Sequence, residues 1–305
     1  MGTRPRTLQE LAVSLDRPEL VTDEVWQALQ ELRLHRGPEA ARMVVELLSD
    51  VWLVDYELFC GCLEALGSIG ERLVSTNLEA LLLEAPGEEW SVSLAEALLS
   101  IDPQRARVFF QPLLASDRRE VRVAAIMVML RLDVTEVRQP LSEEAARARN
   151  VAQKLQLLAF VDSSTMPWLA EWLAQRAADP AWCGPTRDQV DLETQFVAAK
   201  HRHEGSREQL RRCARELDAR GSTAAGFLLE LGEEGGLELI ERHVRERKPS
   251  DDDWRLFNSL MHFAEDSPEV RPRVIELLAS VPSSLAATIR NHLDLRLPPR
   301  GARSI

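Results

Sequence analysis

The sequence predicts an all-α protein of stacked helix pairs that repeat about every 32 residues. Three observations carry that prediction. Apolar residues recur at three- and four-residue spacing along almost the whole chain, with no sustained period-2 alternation and no Asn-Gly hairpin signal, so no sheet is required. Leu66, Leu98 and Leu130, at the apolar ends of successive second helices, stand 32 residues apart. The paired leucines of the first helices, Leu48, Leu82 and Leu114, stand 34 and then 32 apart. Finally, the stretch from Arg105 to Leu132 reads as two apolar helical segments broken at Ala115-Ser116-Asp117. Its second segment, Glu120 to Leu132, is apolar on nearly every face except at Arg122 and Arg131, so other helices must cover it on several sides.

In chain order, Thr7 to Leu15 and Thr22 to Leu34 carry helical stripes separated by Asp16-Arg17-Pro18, and residues 1–36 read as an N-terminal cap. Gly37-Pro38 then opens a helix that runs through Glu39 to Leu48. Asp55 is placed to cap a helix from Tyr56 to Ile69, which ends at Gly70. Leu78 to Leu83 and Trp90 to Ile101 form the next pair around Ala85-Pro86-Gly87. After the central pair the pattern continues through Ser142 to Val161, with Leu155, Leu158 and Ala159 as its inner stripe. Residues 162–221 are irregular. A helix from Met166 to Ala178 carries Trp168 and Trp172 and runs into a turn-rich loop, Asp179 to Pro185. Two polar helices follow, Arg187 to His203 and Ser206 to Ala219, and each is expected to show an exposed face. The repeat resumes as Ala224 to Leu231, Gly235 to Arg247, Asp251 to Ala264, Pro268 to Ala279 and Ser283 to Leu295, and Leu231 to Phe263 is again 32 residues. The whole of 1–296 is expected to form one continuous array, with 297–305 a disordered tail.

Pro112-Leu113-Leu114, the turn residues Ser116-Asp117 and the run Val121-Arg122-x-Ala124-Ala125 together resemble a HEAT repeat. In that family a proline precedes paired leucines in the first helix, an aspartate opens the turn, and Val-Arg-x-x-Ala begins the second helix. The resemblance implies a right-handed α-solenoid of HEAT-like helix pairs and is nearly silent on activity.

The formal charge is −12, from 49 acidic against 37 basic side chains. That balance disfavours nonspecific attraction to nucleic acid or an anionic membrane, and suits a basic partner. Lysine occurs only at Lys154, Lys200 and Lys248, an arginine bias that points to a GC-rich, bacterial genome. Four cysteines, Cys60, Cys62, Cys183 and Cys213, are too few and scattered for a disulfide framework. No apolar run suits a signal peptide or a membrane span, so a soluble, cytoplasmic protein is expected.

Several constellations invite chemistry and favour a plainer reading. Trp182-Cys183-Gly184-Pro185 resembles the start of the thioredoxin active-site motif, but Thr186 stands where the resolving cysteine belongs. Cys60 and Cys62 on one helix point about 200° apart and close no tetrahedral site, and His201 with His203 fails for the same reason. Asp251-Asp252-Asp253 could hold a cation, yet helix capping explains it. There is no phosphate loop, G-x-S-x-G or H-E-x-x-H motif. No cofactor and no metal is expected.

The expected function is therefore non-catalytic: a protein-binding scaffold or adaptor, in a more specific version an inhibitor or immunity-type protein that masks a basic partner. The predicted partner-binding residues are Trp52, Trp90, Trp182 and Trp254, in or beside inter-helix turns, with Arg118, Arg119 and Arg122. Trp52 and Trp90 are the preferred pair. The alternative is an enzyme resembling the HEAT-like alkylpurine DNA glycosylases, which would need a basic groove for phosphates.

Overall fold

The computed structural model describes residues 6–15, 23–183, 189–247 and 249–295, and among them every regular element is helical. The expectations placed on Asp16-Arg17-Pro18, on Gly184 to Thr186 and on the tail 297–305 lie outside the described residues. The chain divides into two compact units, Met1–Arg147 and Ala148–Ile305.

The first unit holds α1 (Leu8–Leu15), α2 (Asp23–Leu32), α3 (Pro38–Val51), α4 (Tyr56–Ile69), α5 (Ser75–Glu84), α6 (Glu88–Ile101), α7 (Pro103–Leu113), α8 (Arg119–Arg131) and α9 (Arg138–Arg147). The helices pair as α1 with α2, α3 with α4, α5 with α6 and α7 with α8. The second helix of each pair also packs on the next, so α2, α4, α6 and α8 follow one another in a row. Composition explains the row: a helix buried on one face needs one neighbour, whereas α4 buries Leu58, Phe59, Cys62, Leu63, Ala65, Leu66 and Ile69 and must be covered on more than one side. In α8 every residue from Val123 to Leu130 is buried. Gly61 sets the approach of α2 to α4, since a Cβ there would lie 2.8 Å from the ring of Trp26.

Local signals set the ends of α4. The Asp55 carboxylate accepts the Leu58 N–H at 2.7 Å, and Gly70, at φ +70°, donates its N–H to the Leu66 carbonyl. The helix runs from Tyr56 to Ile69, as those residues predict.

The second unit holds α10 (Val151–Asp162), α11 (Trp168–Ala177), α12 (Pro180–Cys183), α13 (Gln189–Lys200), α14 (Glu204–Cys213), α15 (Ala219–Glu230), α16 (Gly236–Arg247), α17 (Trp254–Asp266), α18 (Arg271–Ala279) and α19 (Ser284–Leu295). Here α10, α13, α15, α17 and α19 pack in succession.

Two sequence expectations are corrected. The run from Ser142 to Val161 is broken: α9 ends at Arg147, and Asn150 caps α10 by accepting the Gln153 N–H at 2.9 Å. The buried stripe of α10 is Leu157, Leu158, Phe160 and Val161, while Ala159 is exposed. The polar helix α13 is also among the most enclosed elements, because α10, α11, α12, α14 and α15 all pack on it. Thr194 is fully buried, donating to the Val190 carbonyl at 2.6 Å and accepting the Trp182 indole N–H at 2.9 Å. Asp191 and Glu193 pair with Arg220 and Arg255, so polarity in α13 marks satisfied contacts rather than a wet face.

Two of the three consecutive aspartates, Asp251 and Asp253, serve caps. Ser250 and Asp253 form a capping box at the 3-10 turn Asp251–Asp253 that leads into α17, and Asp253 is also ion-paired with Arg247. Asp251 accepts from Ser283, from Ser284 at 2.8 Å and from the Leu285 N–H at 3.1 Å, serving the first turn of α19. The Ser283 and Ser284 hydroxyls, then the Leu285 amide, hold its carboxyl below the usual range.

The burial of α8 sets a test. Ile126→Asp puts an unpaired carboxylate into a fully enclosed position, and the expected loss is on the order of 3 kcal/mol or more. Chemical denaturation monitored by far-UV circular dichroism measures it; a parent-like midpoint would show that α8 is not enclosed.

Candidate functional site

The first unit gathers four aromatic side chains at the turn between α3 and α4 and the start of α6. Trp52 and Trp90 meet edge to face with centroids 5.2 Å apart. Phe59 lies 4.4 Å from Trp90 and 5.5 Å from Trp52, and Tyr56 lies 5.1 Å from Trp90. Phe59 is buried and forms the floor, Trp52 and Trp90 are half-buried, and Tyr56 is exposed at the rim. The Tyr56 hydroxyl shares a 3.1 Å hydrogen bond with Ser93 Oγ, and burial raises its pKa. The structure thus joins Trp52 and Trp90, 38 positions apart, into one cluster that solvent reaches.

Beside the rings, Leu53 and Val54 are 57% and 68% exposed. Leu53 also has φ +66°, a left-handed backbone that costs a branched side chain about 1–2 kcal/mol relative to its ordinary conformation. A bulky apolar residue held in water at a strained turn is the kind of local conflict that concentrates at functional surfaces.

Along the chain, the stretch that carries this ridge is one-sided in charge. From Met43 to Gln104 there are twelve acidic side chains and a single basic one, Arg72. Asp50, Glu57 and Glu89 are exposed next to the cluster in sequence, and none is in a salt bridge among the described residues. The composition total conceals this: Met1–Arg147 carries 25 acidic and 15 basic side chains, Ala148–Ile305 24 and 22. A count of basic residues helix by helix finds the stretch.

A groove of about 440 Å³ adjoins the cluster between α4 and α6, lined among others by Arg33, Cys60, Glu64, Ser93, Glu96 and Ser100. Cys60 and Ser93 belong to its wall and touch the aromatic cluster as well, with Cys60 Sγ 3.9 Å from Ser93 Oγ. Glu64 and Glu96 are 65% and 45% exposed at the side chain and reach Arg33 at 3.3 Å and Arg131 at 2.7 Å.

The other predicted partner-binding residues are placed differently. Arg118 donates to the carbonyls of Leu83 and Ala85 and pairs with Glu120 at 2.7 Å. Arg119 pairs with Glu88, and at 2.8 Å with Glu144, which has no exposed surface. Arg122 reaches the same carboxylate at 3.0 Å and donates to the Ser116 and Asp117 carbonyls at 2.7 and 2.9 Å. These arginines brace α8 against α9 and the preceding turns; Arg122 is the most enclosed, and Arg118 keeps 40% of its side chain exposed while engaged. Trp182 is buried, with its indole on Thr194, its ring 6.1 Å from Trp172 and the Lys154 ammonium 5.6 Å from its centroid. It is a core residue of the second unit. Trp254 is 44% exposed with the Arg255 guanidinium 5.3 Å from its ring, and it stays accessible.

The cysteine and histidine motifs read as structure. Cys62 is buried, and burial pushes its thiol up to about 12; burial, then the neighbouring Asp191, pushes Cys183 up to about 11. His203 caps α14 by accepting the Ser206 N–H at 3.1 Å, and His201 contacts the Val161 carbonyl at 3.2 Å. No cluster of three or more His, Cys, Asp or Glu side chains arranged for a metal occurs among the described residues, and no described helix is long and apolar enough to cross a membrane.

No family model matches the chain, and no curated protein does. One solved structure that it is similar to is Legionella pneumophila aminopeptidase A in complex with aspartic acid, at 10% identity and a TM-score of 0.33. The match covers 95% of this chain and spans 36% of that one. A likeness of that size carries no argument about fold or activity.

Two outcomes follow from this geometry. Glu144→Ala leaves Arg119 and Arg122 without their enclosed counter-charge, and the expected loss of stability is about 3–5 kcal/mol; denaturant titration against the parent measures it, and a loss under about 1 kcal/mol would show the brace to be dispensable. With a thiol-specific disulfide reagent at mildly alkaline pH, Cys62 and Cys213, the two buried cysteines, should stay unmodified in the native protein and react on unfolding. Mass spectrometry of the labelled chain identifies the sites, and prompt native labelling of either would contradict its burial.

Proposed function

We propose that the protein is a non-catalytic protein-binding adaptor, built as a right-handed α-solenoid of HEAT-like helix pairs and docking its partner on the ridge of Trp52, Leu53, Tyr56 and Trp90. The observation that carries this reading is the exposed apolar pair Leu53 and Val54 beside half-open tryptophans. Such a patch is unfavourable in an isolated monomer and suits the buried centre of an interface, where aromatic anchors supply most of the binding energy. The row α2, α4, α6, α8 supports the solenoid description of the first unit, since each second helix meets its successor as stacked repeats do.

The acid-rich stretch around the ridge favours a basic partner, in keeping with an inhibitor or immunity-type role. The DNA glycosylase alternative finds no support there, because the same carboxylates repel phosphates.

Leu53→Gly separates binding from stability. Glycine removes the apolar side chain and relieves the left-handed backbone, so stability should hold or rise by up to about 1 kcal/mol. Trp90→Ala should raise the dissociation rate of the native partner by an amount equivalent to about 2 kcal/mol. Affinity capture from native lysate identifies the partner by mass spectrometry, and surface plasmon resonance with that partner checks both variants. Unchanged kinetics in both would place the binding surface elsewhere.

A further inference from the structure

We propose that the ridge and the groove that adjoins it between α4 and α6 form one site for a cationic peptide segment with a single apolar anchor. The inference rests on the adaptor reading above and adds the location of the site and the chemistry of its occupant. Leu53, Val54, Tyr56, Trp52 and Trp90 offer the anchor its contact area, and the rings present electron-rich faces to any neighbouring ammonium or guanidinium group. Ser93 joins the two parts, bonded to the Tyr56 hydroxyl on one side and lining the groove on the other.

Beyond Ser93 the groove passes Glu64 and Glu96, whose side chains stay 65% and 45% exposed although each has an arginine in reach. Their counter-ions come from the neighbouring helices and turns, because α4 and α6 contain no basic residue at all. An incoming Lys or Arg therefore meets carboxylates with open faces, Glu64 being shared with Arg33 of the groove wall, while Asp50, Glu57 and Glu89 attract it toward the ridge. The stretch from Tyr56 to Gly67 along α4 is about 16 Å, the reach of about five extended residues. The occupant is a short linear segment with its anchor at the ridge and its cations within those next few residues.

The same charge disposes of competing occupants. Nucleic acid and an anionic bilayer would place phosphates against Glu64 and Glu96 in the groove and Asp50, Glu57 and Glu89 near the ridge, with Arg33 and Arg131 already held by the groove carboxylates. A second copy of this chain, docked through the same patch, would set Glu57 and Glu89 against like charge.

A displayed library of random peptides about twelve residues long, selected on the intact protein, tests the proposal. The expected winners carry Lys or Arg within a few residues of a Leu, Ile, Phe or Trp. A fluorescein-labelled synthetic copy of the leading winner, followed by anisotropy, should lose about tenfold in affinity on the double change Glu64→Lys and Glu96→Lys, and also between about 50 and 500 mM salt. Leu53→Gly should weaken it about fivefold or more, with the melting temperature held. Winners that are neutral or acidic, or binding indifferent to both the groove and the ridge changes, would overturn the proposal. If enriched sequences bind but depend on Trp254 instead, the ridge and the groove both fall as the site. If nothing is enriched, the peptide site falls, and the adaptor reading is decided by the capture and kinetic experiment above.

Discussion

Glu144 is a carboxylate with no exposed surface, and the arrangement of the first unit around its last helices depends on neutralising it. An enclosed charge without counter-charge costs several kcal/mol, so the fold brings Arg119 and Arg122 from α8 onto it, with Arg147 at 3.8 Å from its own helix. Arg119 also reaches back to Glu88 at the start of α6. One buried anion thereby ties α6, α8 and α9 together and engages two partly buried guanidinium groups. The long apolar run of α8 fits the same picture, because a helix enclosed from Val123 to Leu130 leaves polar contacts to its ends.

That use of arginine shapes the electrostatics of the site. The arginines flanking the acid-rich stretch are directed into the scaffold: Arg105 holds Glu79 and Thr76, Arg118 holds two carbonyls of the preceding pair, and Arg119 holds Glu88. Arginines from outside the stretch thus pair with Glu79 and Glu88, as Arg33 and Arg131 do with Glu64 and Glu96, while Asp50, Glu57 and Glu89 are in no salt bridge among the described residues. The first unit therefore concentrates negative charge where it also exposes apolar surface. That combination would favour steering at long range and burial at short range.

In the second unit the same economy is applied to polar side chains. Thr194 and Trp182 satisfy each other inside α13's surroundings, and His243 is fully buried between Ser222 Oγ at 3.2 Å and the Ala214 carbonyl at 2.9 Å. With Nε2–H donating to that carbonyl, Nδ1 is left to accept from Ser222, and Arg247 donates to the same hydroxyl at 2.6 Å. Paired in this way, polar groups specify register between helices at little cost in burial.

Much of the local structure was legible in the chain alone. Helical spacing of apolar residues marked α1 through α8, and Asp55 with Gly70 set both ends of α4, because capping acts over three or four residues and needs no tertiary context. The enclosure of α8 was likewise written in its composition, since no surface helix is apolar all round. Exposure of individual side chains was not. A tryptophan in a turn reads the same whether its indole meets water or Thr194, and only packing separated half-open Trp52 and Trp90 from buried Trp182. Arg119 and Arg122 looked available because sequence does not show Glu144 beneath them, Arg118 because it does not show the Leu83 and Ala85 carbonyls, and α13 looked wet because polarity does not reveal how many neighbours satisfy it. The acidic stretch from Met43 to Gln104 was present in the sequence from the start. What the tertiary structure decided was which of its carboxylates meet an arginine, as Glu64, Glu79, Glu88 and Glu96 do, and that Trp52 and Trp90 come together, since such pairings depend on contacts between residues far apart in the chain.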